Sequence, residues 1–264
     1  MLRKLIKYDL KWQLKIITIY YLLGFVLSII GRLFEFFPDS TFFIVLTKII
    51  KGAAISLTIT GIINCIIRSW VRITNNLYKD ESLLTHTLPV ETSLHYYSKI
   101  ISVAILVFLS IGVLIINFII MYYSNELLDF IRQSFDLLEN NYNLNPVGLI
   151  LLFGIVILVE VFFIIVCGFF GIIFGYSHNN KKLGKSFLYG LVAYGICSVT
   201  SLVIMMIFAI FNENLYNMIF ETSLVISFDT FKIIMLLSIV LYIIYGLVLI
   251  VLSHKKLNQG VNID

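Results

Sequence analysis

Residues with capacity for chemistry are few in this chain and widely spaced. The four histidines are His86, His95, His178 and His254, and no pair of them shares a helix turn with a carboxylate, as a helical metal site requires. Cys65, Cys167 and Cys197 all fall inside apolar runs, with no CxxC spacing, and read as small hydrophobes. Gly184-Lys185-Ser186 ends like a phosphate loop, but Asn179 stands where the first glycine belongs and no strand precedes it. A basic loop is the better account of 179–186. No serine, histidine and aspartate are grouped as a nucleophilic triad. The expectation is therefore a chain without catalytic residues, metal or cofactor of its own. Glu160 stands apart. It lies near the middle of a long apolar run, where an unpaired charge costs several kcal/mol. Its two readings are a polar point in a transport path or proton-linked site, and a structural hydrogen bond or salt bridge, for instance to Lys51.

The elements that hold these residues are set by hydropathy. Of the 264 residues 60% are hydrophobic and 13% charged, with a mean hydropathy of +1.00. A soluble domain has about a quarter of its residues charged. The missing water-facing surface must be replaced by lipid. A helix needs about 20 apolar residues to cross a bilayer, and runs at 16–33, 42–67, 100–123, 147–176, 187–211 and 231–253 qualify. The fold class predicted is all-α, a polytopic membrane protein with six transmembrane helices in one transmembrane domain over 1–264. The basic start resembles a signal peptide, but its apolar run is too long and no small-residue cleavage site follows, so the first span is expected to stay as an anchor. The net charge of +4 is no argument for a nucleic-acid partner.

Orientation follows from Lys and Arg in the flanks. Arg3, Lys4, Lys7, Lys11 and Lys15 precede the first span, and Arg68, Arg72, Lys79 and Lys99 surround the second connection. Lys181, Lys182 and Lys185 follow the fourth span, and Lys255 and Lys256 the sixth. Arg32, Lys48, Lys51, Arg132 and Lys232 are left for the other side. This bias places both termini in the cytoplasm, with outer loops near 35–41, 124–146 and 212–230. Leu2, Leu5, Ile6, Leu10 and Leu14 share a helical face over 1–15, which predicts an N-terminal interfacial amphipathic helix. Leu127, Leu128, Ile131, Phe135, Leu138 and Tyr142 repeat likewise over 124–146, predicting an outer amphipathic helix ended at Asn145-Pro146.

Two spans carry polar stripes. Gly52, Ser56, Thr60 and Asn64 recur at i+4 along the second, with Arg68 continuing the series. Gly190, Tyr194, Ser198 and Ser201 share a face of the fifth. Small and polar residues in a row serve close helix packing in lipid, or line a polar path. The connection at 68–98 reads RSWVRITNNLYKDESLLTHTLPVETSLHYYSKI. Asp80-Glu81 precedes Leu83-Leu84, and Leu88-Pro89 follows, where Pro89 disfavours helix at the residue before it. Thr92 or Ser93 is placed to cap the next helix. The pattern predicts a short amphipathic helix, a stop and a second helix. Its leucines either dock to a cytoplasmic partner or lie on the membrane surface.

The run NLYKDE, LLTHTLPV and SK within that connection resembles the permease subunits of bacterial type-2 ABC exporters. The basic loop Asn180-Lys181-Lys182-Leu183-Gly184 is similar to the family as well. About forty residues carry this likeness, while the six-span plan and amphipathic start extend it over the chain. The resemblance implies that 68–98 holds a cytoplasmic coupling helix seated in a groove of a separate ATPase subunit, which binds ATP and Mg. Asp80, Glu81, Leu83, Leu84, Leu88 and Pro89 would make that contact. It implies further a second permease copy or a related permease as partner, a place in the cell membrane, and export of a hydrophobic or amphipathic substrate such as a peptide, lipid or drug. Two other readings stand beside it: an ion-coupled carrier with Glu160 as coupling residue, and a non-transporting immunity or sensor subunit.

Overall fold

The computed structural model describes residues 1–37, 40–142, 145–220 and 228–260. Among them there are helices and no strands: α1 (Leu2–Phe34), α2 (Thr41–Tyr78), α3 (Ser82–Thr87), α4 (Thr92–Tyr122), α5 (Asn125–Tyr142), α6 (Pro146–Tyr176), α7 (Lys182–Phe211), α8 (Glu213–Phe220) and α9 (Phe228–Leu257). Six of these, α1, α2, α4, α6, α7 and α9, are long and apolar enough to cross a membrane. The chain divides into two compact units, Met1–Asn75 with His86–Ser134, and Asn76–Thr85 with Phe135–Asp264.

In the first unit the helices meet through polar and small residues. The buried line of α1 is Asp9, Gln13, Ile17, Tyr21, Gly24, Ser28 and Gly31. A side-chain carbon on Gly24 would sit 2.9 Å from Thr58 Oγ1, and Gly61 lies against the ring of Tyr21. Such close approach is how helices associate where lipid removes any hydrophobic drive between them. Ile17, Tyr21, Cys65 and Leu106 form the apolar centre, with Leu10 and Leu14 packed on it.

The segment 1–15 is helical, as its periodicity predicts, but it does not end at Lys15. It is the start of α1, which runs unbroken through 33 residues, or about 50 Å. That exceeds the roughly 30 Å apolar layer, so α1 extends well past it. The leucine face flanks Asp9 and Gln13, which point into the unit, so Leu10 and Leu14 are spent on protein packing.

In the second unit α6, α7 and α9 pack around Phe163, Val166, Cys167, Ala193, Cys197 and Leu249. The α6–α7 hairpin is closed by glycine. A side-chain carbon on Gly171 would lie 2.7 Å from Gly190 N and 2.8 Å from its Cα, while Gly175 abuts Ser186. Helix starts are marked by local chemistry. Asn145 accepts from Gly148 N at 3.2 Å with Pro146 at the first helical position, so Asn145-Pro146 opens α6. Ser124 caps α5 through Leu127 N at 3.1 Å, and Asn212 caps α8 through Leu215 N at 3.2 Å. The stretch read as a plain loop over 212–230 thus contains α8. Residues 38–39, 143–144 and 221–227, within the three predicted outer loops, lie outside the described residues.

Candidate functional site

The turn between α2 and α3 is tied by local hydrogen bonds. Ser82 N donates to Lys79 O at 2.7 Å, and Thr85 gives both its amide and its hydroxyl to Glu81 O, each at 2.9 Å. The Glu81 carboxylate accepts from Asn76 Nδ2 at 3.0 Å, fastening the turn to the last helical stretch before it. Beneath that stretch Tyr78 stacks on Tyr176, ring centroids 4.7 Å apart. The consequence is a short helix of inverted polarity: Ser82 and Thr85 are buried, whereas Leu83 and Leu84 are 70% and 73% exposed. Leu88, Pro89 and Asp80 are exposed too. Helix α3 stops at Thr87, two residues before Pro89, as the proline requires. Glu91, not Thr92 or Ser93, occupies the cap of α4, and Ser93 donates to its carboxylate at 3.1 Å. Burying two small polar side chains while two leucines face outward costs apolar burial unless something else covers the leucines.

The polar stripe of the second span is placed on an open face. Gly52 and Ser56 are exposed, Thr60 and Asn64 half-buried. Ser56, Thr60 and Asn64 each donate to the carbonyl four residues back, at 2.9, 2.7 and 2.9 Å. Within its unit α2 turns a neighbouring line inward, with Lys51, Ala54, Thr58, Cys65, Ser69 and Arg72 buried. On α7, Tyr194 is exposed and Ser198 and Ser201 half-buried, with Ser198 bonded back to Tyr194 O at 2.9 Å. Glu160 is half-buried on α6, within electrostatic range of Tyr242, which itself feels Tyr194. Within its own unit Lys51 meets the carboxylate of Glu35. Glu35 also takes Arg32 at 2.8 Å, and the Lys51 ammonium lies 4.8 Å from the Tyr122 ring centre.

A second constellation escapes sequence reasoning. Asp9 is 3% exposed and pairs with Arg72 Nε at 2.8 Å and Lys99 Nζ at 3.6 Å, while Ser98 donates to it at 3.0 Å. Arg68 donates to Trp12 O at 3.0 Å and lies over the indole, 4.3 Å from its centre. Gln13 accepts from Ser69 at 2.9 Å. Further along, Tyr21 donates to Ser110 at 2.5 Å, Ser28 to Asn117 at 3.2 Å and Asn117 to Thr58 at 3.2 Å. The available signal was Asp9 and Gln13 one turn apart, in line with Ile17 and Tyr21, inside a segment otherwise basic and apolar. Among the described residues no three of His, Cys, Asp and Glu gather as metal ligands would.

The helices and this interior define the class: an all-α, multi-pass membrane protein. Comparison with known families, with characterised proteins and with solved structures finds no match to this chain.

Proposed function

We propose that the chain is the membrane-spanning permease subunit of an ATP-driven exporter of the type-2 ABC class, working with a separate ATPase. The observation that carries this reading is α3, a helix anchored at its base that turns Leu83 and Leu84 outward between two long helices. In this mechanism α3 and Leu88 seat in a groove of the ATPase, with Asp80 at the rim. ATP draws two ATPase subunits together, and the motion passes through α3 to tip a pair of permeases from inward-open to outward-open. The likeness of NLYKDE, LLTHTLPV and SK, within 76–99, to the coupling segment of such permeases supports the same reading.

The test is to purify the tagged chain from its native membranes and assay the eluate for a co-purifying ATPase. Recovery of ATP hydrolysis with the wild type, and its loss on changing Leu83, Leu84 and Leu88 together to Ala, is expected. Absence of any ATPase from the wild-type eluate overturns the reading. A second reading, an ion-coupled carrier working alone, is favoured by Glu160, a half-buried carboxylate on a helix long and apolar enough to cross a membrane. It requires uptake or efflux driven by an ion gradient in vesicles holding this chain and no ATP.

A further inference from the structure

At the end of the α6–α7 hairpin lies an open surface pocket of about 310 Å³ lined by Lys79, Tyr176, Lys181, Lys182, Leu183 and Gly184. Three of the six lining residues are lysines and none is acidic. The Lys182 ammonium stands 5.9 Å from the Tyr176 ring centre, so one wall holds a cation against an aromatic floor. Lys181 holds left-handed backbone, φ 54°, where a residue with a side chain is uncommon. That kink ends the hairpin turn and starts α7 with no side-chain cap. The first intrahelical bond of α7 is Lys185 N to Lys181 O at 3.0 Å, so the amides of Leu183 and Gly184 precede any helical acceptor. Three lysines around one open pocket at the start of a helix favour an anion with several acceptor oxygens.

The surroundings identify which anion. Leu183, Phe187 and Leu191 follow at i+4 along α7, all exposed, at 65%, 74% and 57%. They form an apolar track from the rim of the pocket along a membrane-crossing helix. A soluble phosphate has no use for such a track, whereas the acyl chains of a lipid do. We propose that this pocket binds the phosphate of an anionic phospholipid headgroup, with the lipid's chains laid along Leu183, Phe187 and Leu191. Basic pockets at the ends of membrane helices are suited to this chemistry. The proposal is independent of the exporter reading, since it needs no ATPase and no transported substrate.

The experiment uses the full chain in nanodiscs of phosphatidylcholine, with or without phosphatidylglycerol, followed by native mass spectrometry of the lipids it retains. The wild type should retain phosphatidylglycerol in preference to phosphatidylcholine. Changing Lys79, Lys181 and Lys182 together to Gln should lower that retention about tenfold or more. Changing Lys4, Lys7 and Lys255 to Gln removes the same charge elsewhere and should leave it unchanged. Phe187→Ser should lower retention of the lipid while the lysines remain, and Lys181→Arg with Lys182→Arg should preserve it. Circular dichroism checks that each variant keeps its helices. The proposal is overturned by equal retention of both lipids in the wild type, by undiminished retention in the lysine triple variant, or by an equal loss in the charge-matched control. If inorganic phosphate in excess strips the lipid and Phe187→Ser has no effect, the site serves free phosphate and the lipid assignment fails.

Discussion

Asp9 is one carboxylate facing two cations in a buried site. Removing it takes from Arg72 and Lys99 a buried carboxylate that both meet, and breaking a buried pair by removing one partner costs about 3–5 kcal/mol. Asp9→Ala should therefore lower the thermal midpoint of the purified protein in detergent far more than Lys99→Met, which leaves the 2.8 Å Arg72 pair in place. Equal losses from the two substitutions would show that Asp9 is held by Lys99 alone. Glu160 makes the opposite case. It is half-buried on α6, and Gln keeps its size and hydrogen-bonding capacity. Glu160→Gln is expected to keep the fold, read as an unchanged thermal midpoint, and, on the exporter reading proposed above, the ATP hydrolysis of the partner. On the carrier reading, loss of ion-gradient-driven transport in Glu160→Gln with the fold intact would assign Glu160 to proton coupling. Neither Asp9's partners nor the Lys51–Glu35 pair is legible in the sequence, because hydropathy reports average environment while ion pairing depends on helix rotation. Lys51 illustrates this: its pairing with Glu35 depends on how α2 is rotated against the end of α1, which spacing alone does not reveal.

Among the elements, the α6–α7 hairpin gives a sharp test of close packing. Gly171→Ala puts a methyl against the backbone of Gly190, which has no side chain to move aside. Overpacking of this kind costs about 1–3 kcal/mol, so the thermal midpoint should fall. Gly195→Ala meets nothing within 4 Å on α7 and should be neutral. If both are neutral, the hairpin is looser than its geometry shows. Element positions were largely legible: six apolar runs of the right length leave little choice but six long helices, and period-3.6 leucines announced α5 and the start of α1. What the runs do not carry is where a helix ends when its polar continuation is also helical. Helix α1 begins well before its apolar run, and α2 continues from Ile67 to Tyr78, because Arg68, Arg72 and Asn76 find partners in the protein. For α3 the leucine pair and Pro89 were readable, but not the burial of Ser82 and Thr85 that turns the leucines out.

For the molecule as a whole, charge distribution predicts the sidedness. The three native cysteines are buried, so a single introduced cysteine reports cleanly. Gln133→Cys on α5 should react with an impermeant maleimide added to intact cells, and Lys181→Cys only after permeabilisation. The reverse pattern would invert the orientation. The first unit also has a consequence for how the chain is made. Asp9 bonds partners 63 and 89 residues away, and Tyr21 and Ser28 each bond partners 89 residues away. At about 5–20 residues per second a ribosome needs on the order of 5–18 s to travel from Asp9 to Lys99. Helix α2 brings Arg72 to Asp9 first, while Ser98, Ser110 and Asn117 on α4 arrive later. The polar interior of the first unit is therefore completed only when α4 is made, and a ribosome stalled before residue 98 holds α1 and α2 with part of their hydrogen-bond partners still to come.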